Sequence, residues 1–212
     1  MNIKEEVKYI SPNHVGWLEY KLKTKEMDYV WRCISNKKHN LKNTLAGNIT
    51  ASNALLDRGD WFFTTVILPL INAYCDRFVN LGEAVPIALH HPYYMPEWWV
   101  NYQKQNEFNP FHKHTGVYSF VIWMKIPYDS RKLNRKDIAR NSTNPKIGEF
   151  QFVYKDIIGG SRTYEYPMSP EAEGTMLFFP SQLDHLVYPF YDCDEERISV
   201  SGNIILDSSK NI

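Results

Sequence analysis

The first part of the chain has apolar residues at helical spacing. The positions that recur at intervals of three or four, and so share one face of a helix, are Met27, Val30, Trp31 and Ile34. A helix with one apolar face normally packs that face against the rest of a globular core. The pattern therefore predicts an amphipathic helix that covers a sheet.

A second helix is predicted to follow, with Asp60 as its N-terminal cap. Pro69 lies inside this segment and should kink or split the helix, because proline lacks an N–H group and clashes with the preceding turn. The apolar face of this predicted helix consists of Phe63, Ile67, Leu70, Ile71, Tyr74 and Phe78. We expect that face to pack against the same sheet.

From about residue 86 the helical period gives way to short β-rich runs separated by turn residues. The predicted strands are residues 98–103, 117–126, 149–154, 175–179, 186–188 and 198–206. Many short strands without intervening helices are typical of an antiparallel sandwich or barrel. The sequence thus predicts one mainly β domain over residues 1–212, with a mostly helical support layer in 1–85 and the β core in 86–208.

A polar insert at about residues 129–146, rich in lysine and arginine, interrupts the β-rich region. Its composition favours a solvated surface loop. The alternative is a lid over a site, because long loops on rigid β scaffolds often carry function.

Composition narrows the classes of function. Lys and Arg together number 24, as do Asp and Glu, so the net charge is zero and gives no reason to expect nucleic acid or an anionic membrane as partner. The three cysteines are far apart and form no CxxC pair, which argues against a disulfide framework or a zinc knuckle. The N-terminus has no apolar signal-peptide core, and the most apolar run, residues 61–71, is too short to span a bilayer. We therefore expect a soluble, cytoplasmic protein.

Three histidines have the spacing of a metal site. His112 and His114 lie two residues apart, and in an extended chain such residues point to the same side. His185 follows the turn after the strand that ends at Pro180, where a neighbouring strand can return it over the other two. Neutral imidazole is a good ligand for iron, zinc, copper and nickel. An isolated HxH pair is often only structural, so the prediction of a metal site rests on the three histidines together.

A polar row follows twelve residues after the third histidine. Arg197, Ser199 and Ser201 alternate with Ile198 and Val200, so the polar side chains share one face of a strand. A charged row on an inner face is costly unless it meets a partner. A guanidinium fork beside a hydroxyl group is complementary to one carboxylate. The sequence therefore places a carboxylate-binding position near the predicted metal site.

The ordered set of these motifs resembles the catalytic core of the 2-oxoglutarate/iron(II) oxygenases, over about Trp98 to Asn203. It is most similar to the bacterial and phage branch that has a Pro-x-His-x-His segment in place of the usual His-x-Asp. The motifs are Asn109–His114 (NPFHKH), Gly116–Phe120 (GVYSF), Gly174–Ser181 (GTMLFFPS), His185 and Glu196–Asn203 (ERISVSGN). The resemblance implies a double-stranded β-helix, that is, a cupin-like jelly roll in residues 86–208, with Fe(II) as metal and 2-oxoglutarate as cosubstrate.

The resemblance also implies roles for single residues. His112 and His185 fall where the family's two imidazole ligands lie, and His114 falls where most members carry a carboxylate. Arg197 falls where the base that pairs with the distal carboxylate of 2-oxoglutarate lies, and Ser199 where the accompanying hydroxyl lies. No catalytic residue beyond the metal ligands is predicted.

Two assignments remain open at this point. Asp184 is a possible substitute carboxylate, but beside His185 in an extended run it should point to the opposite face. Asn101 and Tyr102 are both predicted to contact the cosubstrate from the strand before the HxH segment. They lie on opposite faces of that strand, and the pattern does not choose between them.

The expected function is a 2-oxoglutarate-dependent dioxygenase. It would use O2 to hydroxylate an unidentified protein or small-molecule substrate and would release succinate and CO2. A second hypothesis is a cupin-like three-histidine dioxygenase that does not use 2-oxoglutarate, with Arg197 binding the substrate's own carboxylate. A third is a non-catalytic jelly-roll binding module.

Overall fold

The computed structural model of the protein describes residues 8, 10, 14–41, 45–83 and 91–210. Within these ranges the chain is mainly β, with two antiparallel sheets that form a double-stranded β-helix. In the same ranges, no helix has the combination of length and apolar composition needed to cross a membrane.

Six strands form the larger sheet, and each is antiparallel to its neighbours. Their spatial order is β1 (Leu18–Lys21), β8 (Thr175–Pro180), β5 (Tyr118–Lys125), β10 (Arg197–Leu206), β3 (Tyr93–Gln103) and β2 (Ala51–Ala54). The central pairing of β10 with β3 sets Arg197 opposite Gln103, Ser199 opposite Asn101 and Asn203 opposite Glu97. This pairing aligns the inward-facing polar residues of both strands in one row.

Four strands form the smaller sheet, which is also antiparallel. Their spatial order is β4 (Asn109–His112), β9 (Asp184–Val187), β6 (Phe150–Lys155) and β7 (Ser161–Tyr166). The two sheets face each other, because apolar side chains from both meet in one buried cluster. Within it, the Phe152 and Phe179 rings lie 5.0 Å apart and those of Trp123 and Phe150 5.9 Å apart.

Helices cover the outer face of the larger sheet. The main ones are α1 (Thr24–Ser35) and α2 (Leu68–Arg77), and a π-helical turn at Phe63–Ile67 precedes α2. Alternation along β3 and β10 sends Trp98, Val100 and Val200 outward into the cluster that these helices bury. The Phe62 ring stacks on Trp98 at 5.1 Å. The outer face of the larger sheet therefore packs against the helices, and its inner face is available to line a functional site.

The predicted cap of the second helix was wrong. Both carboxylate oxygens of Asp57 accept hydrogen bonds at the start of the helical segment, from the backbone N–H groups of Phe62 (2.9 Å) and Phe63 (2.8 Å). Asp60 instead takes a left-handed conformation with φ of 52°. Pro69 lies at the first turn of α2, directly after the π-helical turn, and the backbone stays helical at the junction, with φ of −69° at Ile67 and −61° at Leu68. The predicted kink or split at Pro69 stays a prediction.

The six predicted strands are present, with ends shifted by a few residues, and the helix around Val30 is α1. The pattern missed β1, β2, β4 and β7. Because β1 and β2 flank the larger sheet, the first 85 residues contribute strands as well as helices. Residues 129–146 contain a short helix, α3 (Ser130–Leu133), and a turn of 3-10 helix at Asp137–Ala139. The three cysteines are free, as expected.

Candidate metal centre

The fold brings the three predicted histidines together. His112 ends β4 and is paired directly with His185 on β9. His114 lies two residues beyond His112, where its backbone N–H donates to Ser181 O at 2.8 Å and fixes the chain beside the turn after β8. One ligand atom from each histidine lies within 4.8 Å of the others. None of the three is exposed: His112 and His114 are half-buried and His185 is buried.

Hydrogen bonds orient two of the rings. The Nδ1 atom of His112 lies 2.7 Å from Pro110 O, and the Nδ1 atom of His185 lies 2.9 Å from Leu183 O. A carbonyl oxygen only accepts, so in both rings Nδ1 carries the hydrogen and Nε2 has the free lone pair. Metal-binding histidines in proteins are commonly oriented in this way by a backbone carbonyl.

The Nε2 atoms of His114 and His185 are 3.1 Å apart. Two lone pairs at this distance repel each other unless a proton or a cation lies between them. Two ligand nitrogens that each lie about 2.1 Å from one ion, at a right angle to each other, are themselves about 3 Å apart. The observed separation therefore fits two adjacent ligands of one metal ion.

Burial keeps the cluster neutral. It lowers the pKa of His185 to about 3 and that of His114 to about 4, and repulsion from neighbouring imidazoles adds to both shifts. Burial lowers the pKa of His112 as well. Protons therefore compete weakly for these nitrogens near neutral pH, as a metal site requires.

A cavity of about 330 Å³ opens beside the histidines. Its wall includes the inner faces of β3 and β10, with Asn101, Ser199 and Arg197 among the lining residues. Its volume is in the usual range for sites that hold small ligands. The structure therefore places a ligand-sized space between the cluster and the polar row.

Arg197 is a buried guanidinium without an anionic partner. Only 2% of the residue is exposed, and its Nη1 donates to the Tyr128 hydroxyl at 3.2 Å. Its Nε is buried and has no hydrogen-bond partner, and no described carboxylate lies within salt-bridge distance. A buried charge of this kind is costly unless a counter-charge joins it. The arrangement fits an anionic ligand in the cavity.

Asn101 lies on the same face of β3 as the cavity and is buried. Its Oδ1 accepts a hydrogen bond from the Ser52 hydroxyl at 2.6 Å, which leaves the amide NH2 to bond a ligand. Ser199 lines the cavity between Arg197 and Ser201 on β10. These positions bring Arg197, Ser199 and Asn101 together around one space.

Two candidates from the sequence lie elsewhere. The Tyr102 side chain packs with the helical layer on the other face of β3, where its hydroxyl accepts from Lys37 Nζ at 3.2 Å. It does not line the cavity. Asp184 is absent from the histidine cluster and from the cavity wall, because alternation on β9 turns it away from His185. The insert at residues 129–146 contributes no residue to the cavity wall, so the structure gives no support to the lid.

Several lining residues were missed by the sequence reasoning. Glu97 shares the inner face of β3 with Asn101, and strict alternation from Asn101 backward would have found it. Trp99, between them on the same face, also lines the cavity. The Trp99 ring lies 6.0 Å from that of His114. Residues 45–47, Ile49 and Ser52 reach the cavity from a segment whose sequence carries no recognisable motif.

The sequence comparisons identify the family. A family model described as "Putative 2OG-Fe(II) oxygenase" matches residues 97–203, about half of the chain. That range includes the three histidines, Arg197 and Ser199. No curated protein matches the sequence significantly.

Solved structures agree on the fold. A Pseudomonas putida prolyl-4-hydroxylase superposes with a TM-score of 0.52 at 14% identity, covering 91% of this chain and 94% of its own. A 2OG-Fe(II) oxygenase-family oxidoreductase from Burkholderia pseudomallei gives 0.52 at 14% identity, with 93% and 88% covered. A Trichoplax adhaerens prolyl hydroxylase, solved with a peptide fragment of the hypoxia-inducible factor oxygen degradation domain, gives 0.52 at 12% identity, with 92% and 84% covered.

The fold and the histidine cluster define a jelly-roll protein with a site able to bind a metal. The chain belongs to the 2-oxoglutarate- and Fe(II)-dependent oxygenase family. It is therefore an oxidoreductase, and its family implies Fe(II) and 2-oxoglutarate as metal and cosubstrate. The resemblance noted in the sequence, and the jelly-roll fold that it implied, are confirmed.

Proposed function

We propose that this protein is a non-haem Fe(II) dioxygenase that hydroxylates a protein residue or a small molecule while converting 2-oxoglutarate and O2 to succinate and CO2. His112, His114 and His185 would hold the metal. Arg197 would bind the distal carboxylate of 2-oxoglutarate, assisted by Ser199 and Asn101. The family alone does not fix the substrate or these residue roles.

The observation that carries the proposal is the unpaired charge of Arg197 beside the histidines. A guanidinium that is 2% exposed, with an orphaned Nε, fits a carboxylate ligand better than any contact within the described protein. The histidines in turn fit a metal ion, because their ligand nitrogens lie close together and their lowered pKa values keep them neutral.

When bound, Fe(II) and 2-oxoglutarate supply the O2 activation and the oxidative decarboxylation. The protein's own residues bind, orient and exclude water. Arg197 would hold the distal carboxylate of the cosubstrate and the three histidines would hold the metal, so these residues together would orient the cosubstrate for reaction. Rings of Phe150, Phe152 and Phe179 lie 5.2–6.1 Å from that of His185 and keep the inner side of the site dry.

A ligand set of three neutral imidazoles adds no negative charge to the metal, whereas a two-histidine, one-carboxylate set adds one. With the same metal, cosubstrate dianion and arginine, the three-histidine site therefore carries one more positive charge than a site with two histidines and a carboxylate. It therefore favours anionic ligands, which supports binding of the 2-oxoglutarate dianion.

The other two hypotheses have weaker support. A three-histidine dioxygenase without 2-oxoglutarate fits the ligand set, but the family match favours 2-oxoglutarate as the molecule that Arg197 binds. A non-catalytic module would not explain why the three histidines lie together or why the buried Arg197 has no anionic partner.

The proposal is tested first by ligand binding. Under anaerobic conditions, Mn(II) should raise the melting temperature, and 2-oxoglutarate should raise it further only when the metal is present. His185→Ala should abolish both effects, because it removes one ligand of the metal. His39→Ala is the matched control, since that histidine is exposed and lies outside the cluster.

The second test is turnover. With Fe(II), O2 and no added substrate, the protein should convert 2-oxoglutarate slowly to succinate and CO2, and His185→Ala should not. Addition of the correct substrate should raise succinate formation and transfer one atom of ¹⁸O2 to the product. Stabilisation by metal, with neither stabilisation by 2-oxoglutarate nor formation of succinate from it, would refute the proposal and favour the three-histidine dioxygenase that does not use 2-oxoglutarate.

A further inference from the structure

The hydroxyl of Tyr128 sits directly behind Arg197, in a position that the metal site and the cosubstrate do not explain. Tyr128 follows β5 and is 6% exposed. Its oxygen accepts a hydrogen bond from Arg197 Nη1 at 3.2 Å and donates one to Gly148 O at 2.7 Å. Because the only hydroxyl proton bonds the backbone carbonyl of Gly148, the Tyr128 oxygen can only accept the hydrogen bond from Arg197.

The tyrosine ring is held on two sides. It stacks on the Phe190 ring at 4.4 Å with an interplanar angle of 19°. The other contact is the backbone of Gly148, where an added Cβ would lie 2.5 Å from Tyr128 Cε2. Gly148 also has a φ of +70°, which side-chain-bearing residues rarely adopt. The glycine therefore permits the close approach by which its carbonyl orients the hydroxyl.

The carbonyl of Gly148 is itself fixed from the insert. The Asn134 side chain accepts from the Ile147 backbone N–H at 2.9 Å and donates to Glu149 Oε1 at 3.1 Å. Asn134 thus holds the two neighbours of Gly148, and Tyr128 bonds both Gly148 and the guanidinium, so the insert is linked to Arg197 although it does not reach the cavity.

The chemistry of this support is specific. A carboxylate behind Arg197 would neutralise the guanidinium and compete with a ligand for it. A phenol is neutral, and burial raises the pKa of Tyr128 above its usual range, so the hydroxyl stays protonated. It fixes the side chain through Nη1 and leaves the positive charge of the guanidinium to a ligand in the cavity.

We propose that Tyr128 is a positioning residue that holds the Arg197 guanidinium ready for the distal carboxylate of 2-oxoglutarate. The inference rests on the proposed function, in which Arg197 binds that carboxylate. Tyr128 acts through Arg197 and has no contact with the reacting atoms. Its effect should therefore fall on cosubstrate affinity and on selectivity for the distal carboxylate, with little effect on the chemical step.

The test is Tyr128→Phe, which removes only the hydroxyl. The control is Tyr74→Phe, because Tyr74 is also fully buried and donates to a backbone carbonyl (Gly16 O, 3.0 Å), but on α2 in the helical layer. We expect Tyr128→Phe to raise the KM for 2-oxoglutarate about tenfold, the usual effect of losing a hydrogen bond to a charged group, with less than about a twofold change in kcat. Tyr74→Phe should leave the KM unchanged.

A second readout separates positioning from a structural role. 2-Oxopentanoate has the same carbon chain as 2-oxoglutarate but lacks the distal carboxylate. On the Mn(II) protein under anaerobic conditions, Tyr128→Phe should weaken binding of 2-oxoglutarate and leave binding of 2-oxopentanoate unchanged. A structural defect would weaken both to the same degree, and that result would overturn the inference, as would an unchanged affinity for 2-oxoglutarate. If the wild type binds no 2-oxoglutarate at all, the proposed function fails together with the inference.

Discussion

Replacement of Arg197 with Met should change stability in opposite directions in the free and the ligand-bound protein. In the free protein the guanidinium is buried and has no anionic partner. An uncompensated buried ion costs several kcal/mol, although cavity water and the hydrogen bond to Tyr128 offset much of that cost. Met fills similar space without charge. We therefore expect Arg197→Met to stabilise the free protein by about 1 kcal/mol, which is about 2–4 °C in melting temperature for a chain of this size.

The ligand-bound protein should show the reverse. At a 2-oxoglutarate concentration about 100 times its dissociation constant, the wild-type protein with metal gains about 2.7 kcal/mol, or roughly 5–10 °C. Arg197→Met should lose nearly all of this gain, because the distal carboxylate would then face an apolar side chain. Stabilisation by Mn(II) alone should persist, because the three histidines are untouched.

Differential scanning fluorimetry in four conditions measures all of these shifts: free, Mn(II), 2-oxoglutarate, and both together. The control is Arg162→Met, which removes an exposed arginine paired with Asp156 at the surface and should change stability by less than about 0.5 kcal/mol. The reasoning is refuted if Arg197→Met keeps the full response to 2-oxoglutarate. Strong destabilisation of the free variant would show that Arg197 is needed for folding.

Three further results are expected. The folded pKa values of His114 and His185, about 4 and 3, lie below the ordinary value of about 6.5, so the unfolded chain binds more protons. The metal-free protein should therefore lose stability as pH falls from about 6.5 towards 4, and a melting temperature that is constant over this interval would contradict the assignment. Asp57→Ala should lower the free energy of unfolding in urea by about 1–2 kcal/mol through loss of the helix cap, and Asp60→Asn should lower it less. Gly202→Ala should cost about 1–3 kcal/mol in the same assay, because its Cβ would lie 2.6 Å from an aromatic carbon on β5.

The central strands could be predicted because each carries its own signal. In β5, seven of eight residues are buried, and the run of aromatic and β-branched residues from Tyr118 to Trp123 shows this directly. The histidines followed from the same logic, since a period of two sets His112 and His114 on one side. The short strands gave no comparable signal: β1 and β2 have four residues each, and only pairing with β8 and β3 makes them strands.

The support behind Arg197 could not be read from the sequence for a different reason. Tyr128, Gly148 and Arg197 are separated by 20 or more positions, and their contacts form only when β5 pairs with β10 and the chain before β6 packs beside them. The choice between Asp57 and Asp60 as helix cap depends on the left-handed backbone of Gly59 and Asp60, which the sequence pattern does not specify. The sequence also does not show which face of β3 lines the cavity. The structure puts Asn101 on that face and Tyr102 on the opposite one.

The histidine at position 114 offers a direct test of how charge governs this site. His114→Asp would add a negative charge beside the metal, and His114→Asn would remove the imidazole without adding charge. A unit charge about 5 Å away contributes at most about 3 kcal/mol at an effective dielectric constant of about 20, and screening by the metal should leave about 1–2 kcal/mol. Compared with His114→Asn, we therefore expect His114→Asp to bind Mn(II) more tightly and 2-oxoglutarate about tenfold more weakly in anaerobic calorimetric titrations. Equal affinities of the two variants for 2-oxoglutarate would show that the net charge of the ligand set does not control cosubstrate binding.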